Sequence, residues 1–435
     1  MNGVRVGLWS LSPYREPQFR YDEAWFHHPS FRSISLSLPA SAANPVISGM
    51  HVNHYFDNLL PDSESIRHRL QSKFHTKDIS AFSLLTAIGR DCVGAIQFLP
   101  LDEEPSHLGV IEATPLTDLE VEHTILQTLA SPSGLVDDSQ DDLRLSIAGA
   151  QEKTALLFHE GNWCLPLGAT PTTHIFKLPL GLIGNRKADM TTSVENEWLC
   201  SRILHAFGVP VAETRMSTFG QTKVLIVTRF DRMLAQAGTH YLRLPQEDFC
   251  QVTGTPFSHK YENEGGPGML KIAEILRNSV QSNADMVNFF KAQMLFWMLR
   301  ATDGHAKNFS IFLLPQNRFR LTPMYDVLSA WPIIGAGPSL VAPQKVKMAM
   351  AWQGKNKHYL AAALQYRHFV KTMQKGGLAT DPSDLMDELI ARTPAVIATV
   401  SAELPGGFPE KLANKIFAGL QASADSLELL KKDRA

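Results

Sequence analysis

The stretch Arg300-Ala-Thr-Asp-Gly-His-Ala-Lys-Asn308 sets Asp303 five residues before Asn308, and Tyr325-Asp326-Val327 follows downstream. A phosphotransferase loop needs this layout. One carboxylate, Asp303, orients or deprotonates a hydroxyl. The amide oxygen of Asn308 and the carboxylate of Asp326 hold magnesium against nucleotide phosphates. Magnesium takes hard oxygen ligands and keeps several waters, so two side-chain oxygens suffice. The same residues can also merely shape a turn after a helix, as Asp-Gly and Asn do.

Phosphoryl transfer from a nucleotide also needs a strand lysine on the α- and β-phosphates. Thr173-His-Ile-Phe-Lys-Leu178 offers Lys177 at the end of an alternating strand. A lysine there can equally sit on a solvated face. Its carboxylate partner would come from the next helix, where Glu195 and Glu197 point in different directions. Glu195 is expected to complete a capping box with Thr192. Glu197 shares a face with Cys200 and Leu204 and is the expected partner. Ser146-Ile-Ala-Gly-Ala-Gln-Glu-Lys-Thr154 is rich in small residues but is neither Gly-x-Gly-x-x-Gly nor a Walker loop. It reads as a tight strand connection, from which Lys153 reaches either phosphate or solvent. Val224–Phe230 reads as a core strand or as the strand leading to a hinge that holds an adenine edge.

Other chemistries lack their residues. None of the 16 histidines forms His-Glu-x-x-His. His51 and His54 have no acidic partner at zinc spacing, and His305 is expected to bond locally. No Gly-x-Ser-x-Gly elbow is present. The four cysteines (Cys92, Cys164, Cys200, Cys250) are scattered, which fits reduced thiols in the cytoplasm.

The elements that must position these residues divide the chain. At 435 residues it exceeds a single core and is expected to form two or three domains. Residues 1–142 read as a small mixed subdomain, with a helical stretch Val52–Lys73 and a β-like run Val93–Leu99. It ends in an acidic, Pro/Ser-rich connection that includes Ser131–Gly134 and Asp137–Asp142. Residues 143–243 read as strand-rich and nucleotide-binding: Leu143–Ile147, Lys153–Phe158, Thr173–Leu178 and Lys223–Thr228 are short and apolar or β-branched. One helix, about Ser193–Phe207, interrupts them. Residues 244–435 read as a helical catalytic lobe. It holds Met269–Arg277, a nearly all-round apolar helix Asp285–Arg300, and one hairpin, Asn308–Leu314 with Phe319–Thr322. The fold class is α+β, two-lobed, with a ligand cleft expected between the lobes.

Charge adds one local feature. Net charge is −2, which excludes a generally basic nucleic-acid binder. Yet Val327–Thr380 has no Asp or Glu and carries Lys345, Lys347, Lys355, Lys357, Arg367, Lys371 and Lys375. This patch suits nucleic-acid phosphates, an acidic partner or plain solvent. No recognition-helix motif is evident, so DNA contact would be to the backbone. No apolar run reaches the length of a membrane span.

The chain resembles the HipA family of bacterial serine/threonine kinase toxins. The matching stretches are Phe56–Asp62, Ile88–Ala95, Ser146–Thr154, Pro171–Pro179, Leu242–Asp248, Gly265–Gly268 and Ala301–Ser310. The resemblance implies a protein-kinase-like fold with an added amino-terminal subdomain, and ATP and Mg2+ as cofactors. Asp303 matches the catalytic aspartate, Asn308 and Asp326 the metal ligands, and Lys177 the nucleotide-binding lysine. Ala148, Gly149, Ala150, Gln151, Glu152 and Lys153 match the phosphate-binding loop. Thr228, Arg229 and Phe230 match the hinge, with Thr228 standing where relatives often carry an acid. His305, Lys307 and Tyr325 join the nucleotide site. Ser146 matches the autophosphorylated serine, and the surroundings of Arg367 match the DNA-contacting stretch. A phosphate on Ser146 would repel ATP from a loop built to hold phosphates.

The family further implies a helix-turn-helix antitoxin, HipB, and operator DNA bound through that complex, with the toxin co-repressing its operon. It implies a protein substrate in translation, notably glutamate–tRNA ligase, whose phosphorylation arrests growth and induces persistence. Two alternatives stand beside a protein kinase. One is a small-molecule kinase of the antibiotic-phosphotransferase type, which can share the Asp-x4-Asn loop. The other is a non-catalytic DNA-bound co-repressor.

Overall fold

The computed structural model describes residues 1–12, 14–105, 108–129, 145–149, 151–184 and 187–432. They form two compact units. The first comprises Met1–Leu178, Ser217–His259 and Ser310–Phe319; the second comprises Pro179–Met216, Lys260–Phe309 and Arg320–Ala435. The expected connection segments Ser131–Gly134 and Asp137–Asp142, and the start of the strand expected at Leu143, lie outside the described residues.

In the first unit, strands Gly7–Ser12, Arg15–Tyr21 and Val46–Ser48 form an antiparallel sheet. Aromatic residues cover it: Trp9 stacks on Phe56 at 4.1 Å, and Phe19 meets Tyr21 edge-on at 4.9 Å. The expected helical stretch Val52–Lys73 is two helices, Met50–Asp57 and Glu64–Phe74. Pro61 cannot donate to a helical ladder. Arg67 bridges the break, donating to Pro61 O at 2.6 Å and to Asp57 Oδ1 at 2.7 Å. The run Val93–Leu99 forms no strand. At its start, arginine side chains take the backbone acceptors: Arg229 and Arg232 donate to Cys92 O, and Arg232 to Gly94 O, at 2.7–2.8 Å.

A six-stranded sheet forms the rest of this unit's core. Its order is Thr214–Phe219 (which enters the unit at Ser217), Thr222–Thr228, His174–Lys177, Lys153–His159, Asn162–Pro166 and Ala113–Pro115. One face buries Leu156, Trp163, Phe176, Phe219, Val224 and Ile226 together. Burying several large apolar side chains at ~1.5–3 kcal/mol each is what holds such short strands. A smaller sheet pairs Gln246–Asp248 with Ser310–Leu314, which continues into Arg318–Leu321.

The Ile88–Ala95 and Leu242–Asp248 motifs meet in a buried ion cluster. Asp91 accepts from Arg232 at 2.9 Å and from Arg229 and Arg243 at 3.3 Å; Asp231 binds Arg229 and Arg232 at 3.0 Å. The neighbouring guanidinium groups hold both carboxyls below their ordinary range, against a burial effect that opposes them. Glu247 is fully buried, accepts from Ser35 Oγ and Leu36 N, and is pushed up to about 8 by burial. Asp248 caps the helix Phe249–Thr253.

The second unit is mainly helical: Ser193–Ala206, Met269–Leu276, Ser282–Leu299, Tyr366–Gly376, Pro382–Ala402 and Glu410–Lys432. The apolar helix Ser282–Leu299 is buried along most of its length. Trp297 packs on Phe369 at 5.0 Å, and Phe369 on Trp352 at 4.8 Å. The capping box expected at Thr192 and Glu195 does not form. Thr192 has φ −98° and ψ 25° and gives no side-chain cap, because its backbone is not in the extended conformation that aims a cap oxygen at the helix.

Candidate active site

The helix Ser282–Leu299 ends at Arg300, which takes a left-handed conformation (φ 52°) and turns the chain into the loop. The Arg300 guanidinium lies between the Trp297 and Trp331 rings, 4.8 and 4.9 Å from their centroids. After this turn Asp303 is exposed, whereas His305, Lys307 and Asn308 are buried in and around the short helical turn Ala306–Asn308. His305 N donates to Asn308 Oδ1 at 3.1 Å, and Asn308 Nδ2 donates to Asp326 Oδ2 at 3.2 Å. The loop asparagine and the downstream aspartate therefore meet, while the Asp303 carboxylate lies on the same loop.

Three neighbours fix that point. Met324 donates to Pro210 O and accepts from Ala212 N, both at 2.8 Å. Tyr325 Oη donates to Lys307 O at 2.8 Å. Ser329 exchanges two bonds of 2.8 Å with the Asn196 side chain and donates through Oγ to Leu299 O at 2.6 Å. Between these ties Asp326 adopts φ 61°, a strained position for a residue with a Cβ. Such strain persists only where the surroundings over-determine it, and it clusters at functional sites.

The donor set fits magnesium. An amide oxygen and a carboxylate are hard donors; Asn308 turns its Nδ2 to Asp326 and its Oδ1 to His305 N, and that oxygen keeps a second lone pair beside the bond. Among the described residues no group of three or more His, Cys, Asp or Glu side chains could hold a metal.

Lys177 ends the strand His174–Lys177 and is buried. In the antiparallel register it stands directly opposite Lys153. Opposed residues project from the same face of a sheet, so two ammonium groups share one face, a setting that favours negative charge. Lys153 Nζ also donates to Ala148 O at 2.5 Å, closing the loop on itself. Gly149 makes that turn at φ 113°. Asp62 N donates to Gly149 O at 3.0 Å, which docks the loop on the Phe56–Asp62 motif. Ala150 lies outside the described residues.

Several other candidates have side-chain tasks of their own. Gln151 donates to Leu178 O at 2.5 Å, and Glu152 pairs with Arg69. Both are thus placed to shape the loop by their side chains. The Arg229 guanidinium belongs to the buried Asp91–Asp231 cluster and its N–H donates to Thr173 O at 2.9 Å, so a hinge role there would fall to the backbone and not to the side chain. Thr228 pairs with His174 in the sheet, and Phe230 meets Phe312 edge-on at 5.6 Å. Ser146 is fully buried; its Oγ donates to Leu59 O at 2.9 Å and its N–H to Asp91 O at 3.1 Å. Glu195 and Glu197 are both buried on the helix Ser193–Ala206, and Glu197 adds to the burial that pushes the Cys200 thiol upward.

The basic segment of the second unit is solvated. Arg367, Lys371 and Lys375 lie along the exposed face of the helix Tyr366–Gly376, and Lys345, Lys347, Lys355 and Lys357 are exposed. Lys357 is held by Glu262 at 2.8 Å, so it adds less net charge than the sequence count suggests. Among the described residues no helix is long and apolar enough to cross a membrane.

One contact was not foreseen from the sequence. Tyr261 Oη donates to Asp303 Oδ1, and the Tyr261 ring meets His305 edge-on at 5.0 Å. Its only signal was proximity to the Gly265–Gly268 motif.

Comparison with known proteins shows the family. Residues 145–397 match the HipA-like C-terminal domain, and residues 1–99 match the HipA N-terminal domain. A putative kinase, Y4mE, of Sinorhizobium fredii is 33% identical over 80% of this chain and 81% of its own. The serine/threonine-protein kinase toxin HipA of Shewanella oneidensis is 29% identical over 64% of this chain and 63% of its own. A solved HipA from Shewanella oneidensis, in complex with HipB and its operator DNA, superposes with a TM-score of 0.78 at 22% identity, covering 98% of this chain and 96% of that one. With both domain matches in one chain and the α+β kinase-like fold throughout, this protein belongs to the HipA family of kinase toxins.

Proposed function

We propose that the protein is an ATP- and magnesium-dependent serine/threonine-protein kinase that acts as the toxin of a toxin–antitoxin pair. The observation that carries this reading is the meeting of Asn308, on the loop that also carries Asp303, with Asp326 at 3.2 Å, where Asp326 is held at φ 61°. Asp303 accepts the proton of the target hydroxyl as its oxygen bonds to the γ-phosphorus. The bond from that phosphorus to the β–γ bridging oxygen breaks, and ADP leaves with the electron pair. Asn308 and Asp326 would hold magnesium, which would neutralise phosphate charge. Lys177 and Lys153 take the α- and β-phosphates, supported by their opposed register. The loop Ala148–Lys153, the backbone at Thr228–Phe230, and His305, Lys307 and Tyr325 complete the nucleotide site. Glu197 partners Lys177. Residues 1–142, 143–243 and 244–435 act as amino-terminal, nucleotide-binding and catalytic parts.

Ser146 is the autophosphorylation site on this reading. Its burial means that the loop must leave Leu59 and Asp91 before the hydroxyl can react, and a dianionic phosphate could not return. The substrate is a protein of the translation apparatus, by resemblance glutamate–tRNA ligase. A HipB-like antitoxin and operator DNA are the partners, with Arg367, Lys371 and Lys375 facing DNA phosphates. The cytoplasm is the setting. Incubation with γ-labelled ATP and magnesium, followed by mass spectrometry, tests the core of the proposal. Label on Ser146 in the parent and none in Asp303→Asn is expected; equal labelling of both would remove Asp303 from its role.

A further inference from the structure

We propose that Tyr261 is a positioning residue for phosphoryl transfer, held on Asp303 by the Glu262–Gly268 turn. The inference rests on the kinase reading above and names a residue that reading does not use.

The geometry is built from three ties. Tyr261 Oη donates to Asp303 Oδ1. The backbone before it is docked on the same loop, because Ala306 N donates to Lys260 O at 3.3 Å. The backbone after it curls back, with Glu264 N and Gly266 N both donating to Tyr261 O at 3.0 Å and Gly265 at φ 103°. The phenol is therefore not a surface side chain that happens to reach an acid. Its main chain is fixed from both sides.

Glu262 anchors the turn to the body of the unit. It is buried, its Oε2 accepts from Ala351 N at 2.6 Å, and its Oε1 pairs with Lys357 at 2.8 Å. Gly268 passes so close that a Cβ there would lie 2.1 Å from the Glu262 carboxylate carbon. That contact gives a physical reason for glycine at the end of Gly265-Gly-Pro-Gly268: a side chain would push out Glu262 and carry Tyr261 with it.

The chemical consequence concerns Asp303, which is exposed and sits on a loop. An exposed carboxylate rotates about its terminal torsion, a broad well with two-fold character. A catalytic carboxylate must be held in its productive orientation before the acceptor arrives. A donor fixed on Oδ1 sets the carboxylate plane and directs Oδ2 toward the acceptor hydroxyl. A carboxylate has about four lone-pair sites, so the phenol and the acceptor can be bound together.

The test uses full-length protein, γ-labelled ATP and two variants. Tyr261→Phe keeps the ring and removes the hydroxyl. Gly268→Ala leaves Tyr261 intact and disturbs only its anchor. The expected result is a fall in the rate constant for transfer of about tenfold in each, equivalent to ~1.4 kcal/mol, with the KM for ATP unchanged. The double variant should be no slower than Tyr261→Phe alone. In parallel, 13Cζ-tyrosine NMR of the parent should show the Tyr261 signal, assigned by its loss in Tyr261→Phe, moving in Asp303→Asn. An unmoved signal would overturn the hydrogen bond itself. A moved signal with an unchanged transfer rate in Tyr261→Phe would overturn the positioning role. A moved signal with no transfer in the parent would refute the kinase reading and this inference with it.

Discussion

Asp91→Asn probes the buried ion cluster. In the parent, two carboxylates, Asp91 and Asp231, face three guanidinium groups, Arg229, Arg232 and Arg243. Burial and its arginine neighbours already push Arg232 down to about 10. Removing the Asp91 charge leaves three buried cations against one anion. Breaking a buried pair by deleting one partner costs ~3–5 kcal/mol. For a unit of this size ~1 kcal/mol shifts the midpoint by about 2–4 °C, so a fall of about 6–20 °C is expected. Thermal unfolding followed by calorimetry is the assay. Asp91→Asn/Arg243→Met should recover part of the loss, because it removes one of the cations left without an anion. A midpoint within about 2 °C of the parent would refute the reasoning. So would a double variant as unstable as the two singles added together, since residues sharing one network are expected to couple by ~0.5–3 kcal/mol.

Three further outcomes follow from the geometry. Asn308→Ala should raise the magnesium concentration needed for tight ATP binding by about tenfold, read by calorimetric titration; an unchanged requirement would remove Asn308 from the metal site. Glu247, raised to about 8 from an ordinary 4.5, holds a proton in the folded chain that the unfolded chain releases. Its contribution is full below about 4.5 and is lost as pH rises toward 8, with a slope of at most ~1.4 kcal/mol per pH unit; Glu247→Gln should flatten the thermal midpoint between pH 5 and 8. Arg367→Ala and Lys371→Ala should each lower the salt dependence of operator binding by the antitoxin complex by about one unit of slope, uniformly across sequences.

Much of the second unit's candidate site was legible because it is local. Asp303 and Asn308 lie on one loop, and the apolar pattern of Ser282–Leu299 announces the buried helix that supports them. Asp326 was found from the family resemblance and from its place past the hairpin. Its left-handed backbone was not legible, because the ties at Met324, Tyr325 and Ser329 run to distant residues. The Thr192 cap does not form because a capping box read from letters presumes an extended N-cap residue, and Thr192 has ψ 25° instead. Val93–Leu99 looked like a strand by composition. The carbonyls at its start, Cys92 O and Gly94 O, are taken by arginines more than a hundred residues away, which no local pattern records. Tyr261 was missed because nothing in its spacing links it to residue 303.

The seat of Ser146 has a consequence for the order in which the chain is made. Its acceptors, Leu59 O and Asp91 O, belong to a segment that leaves the ribosome first. Domains generally fold as units during synthesis, the amino-terminal one ahead. Leu59 and Asp91 therefore precede Ser146 out of the ribosome, and the arginines that fix Asp91 (Arg229, Arg232 and Arg243) follow it. By the time Asp303 is added, more than one hundred and fifty residues after Ser146, all of these groups have been made. A nascent chain thus holds every group that seats Ser146 before it holds Asp303.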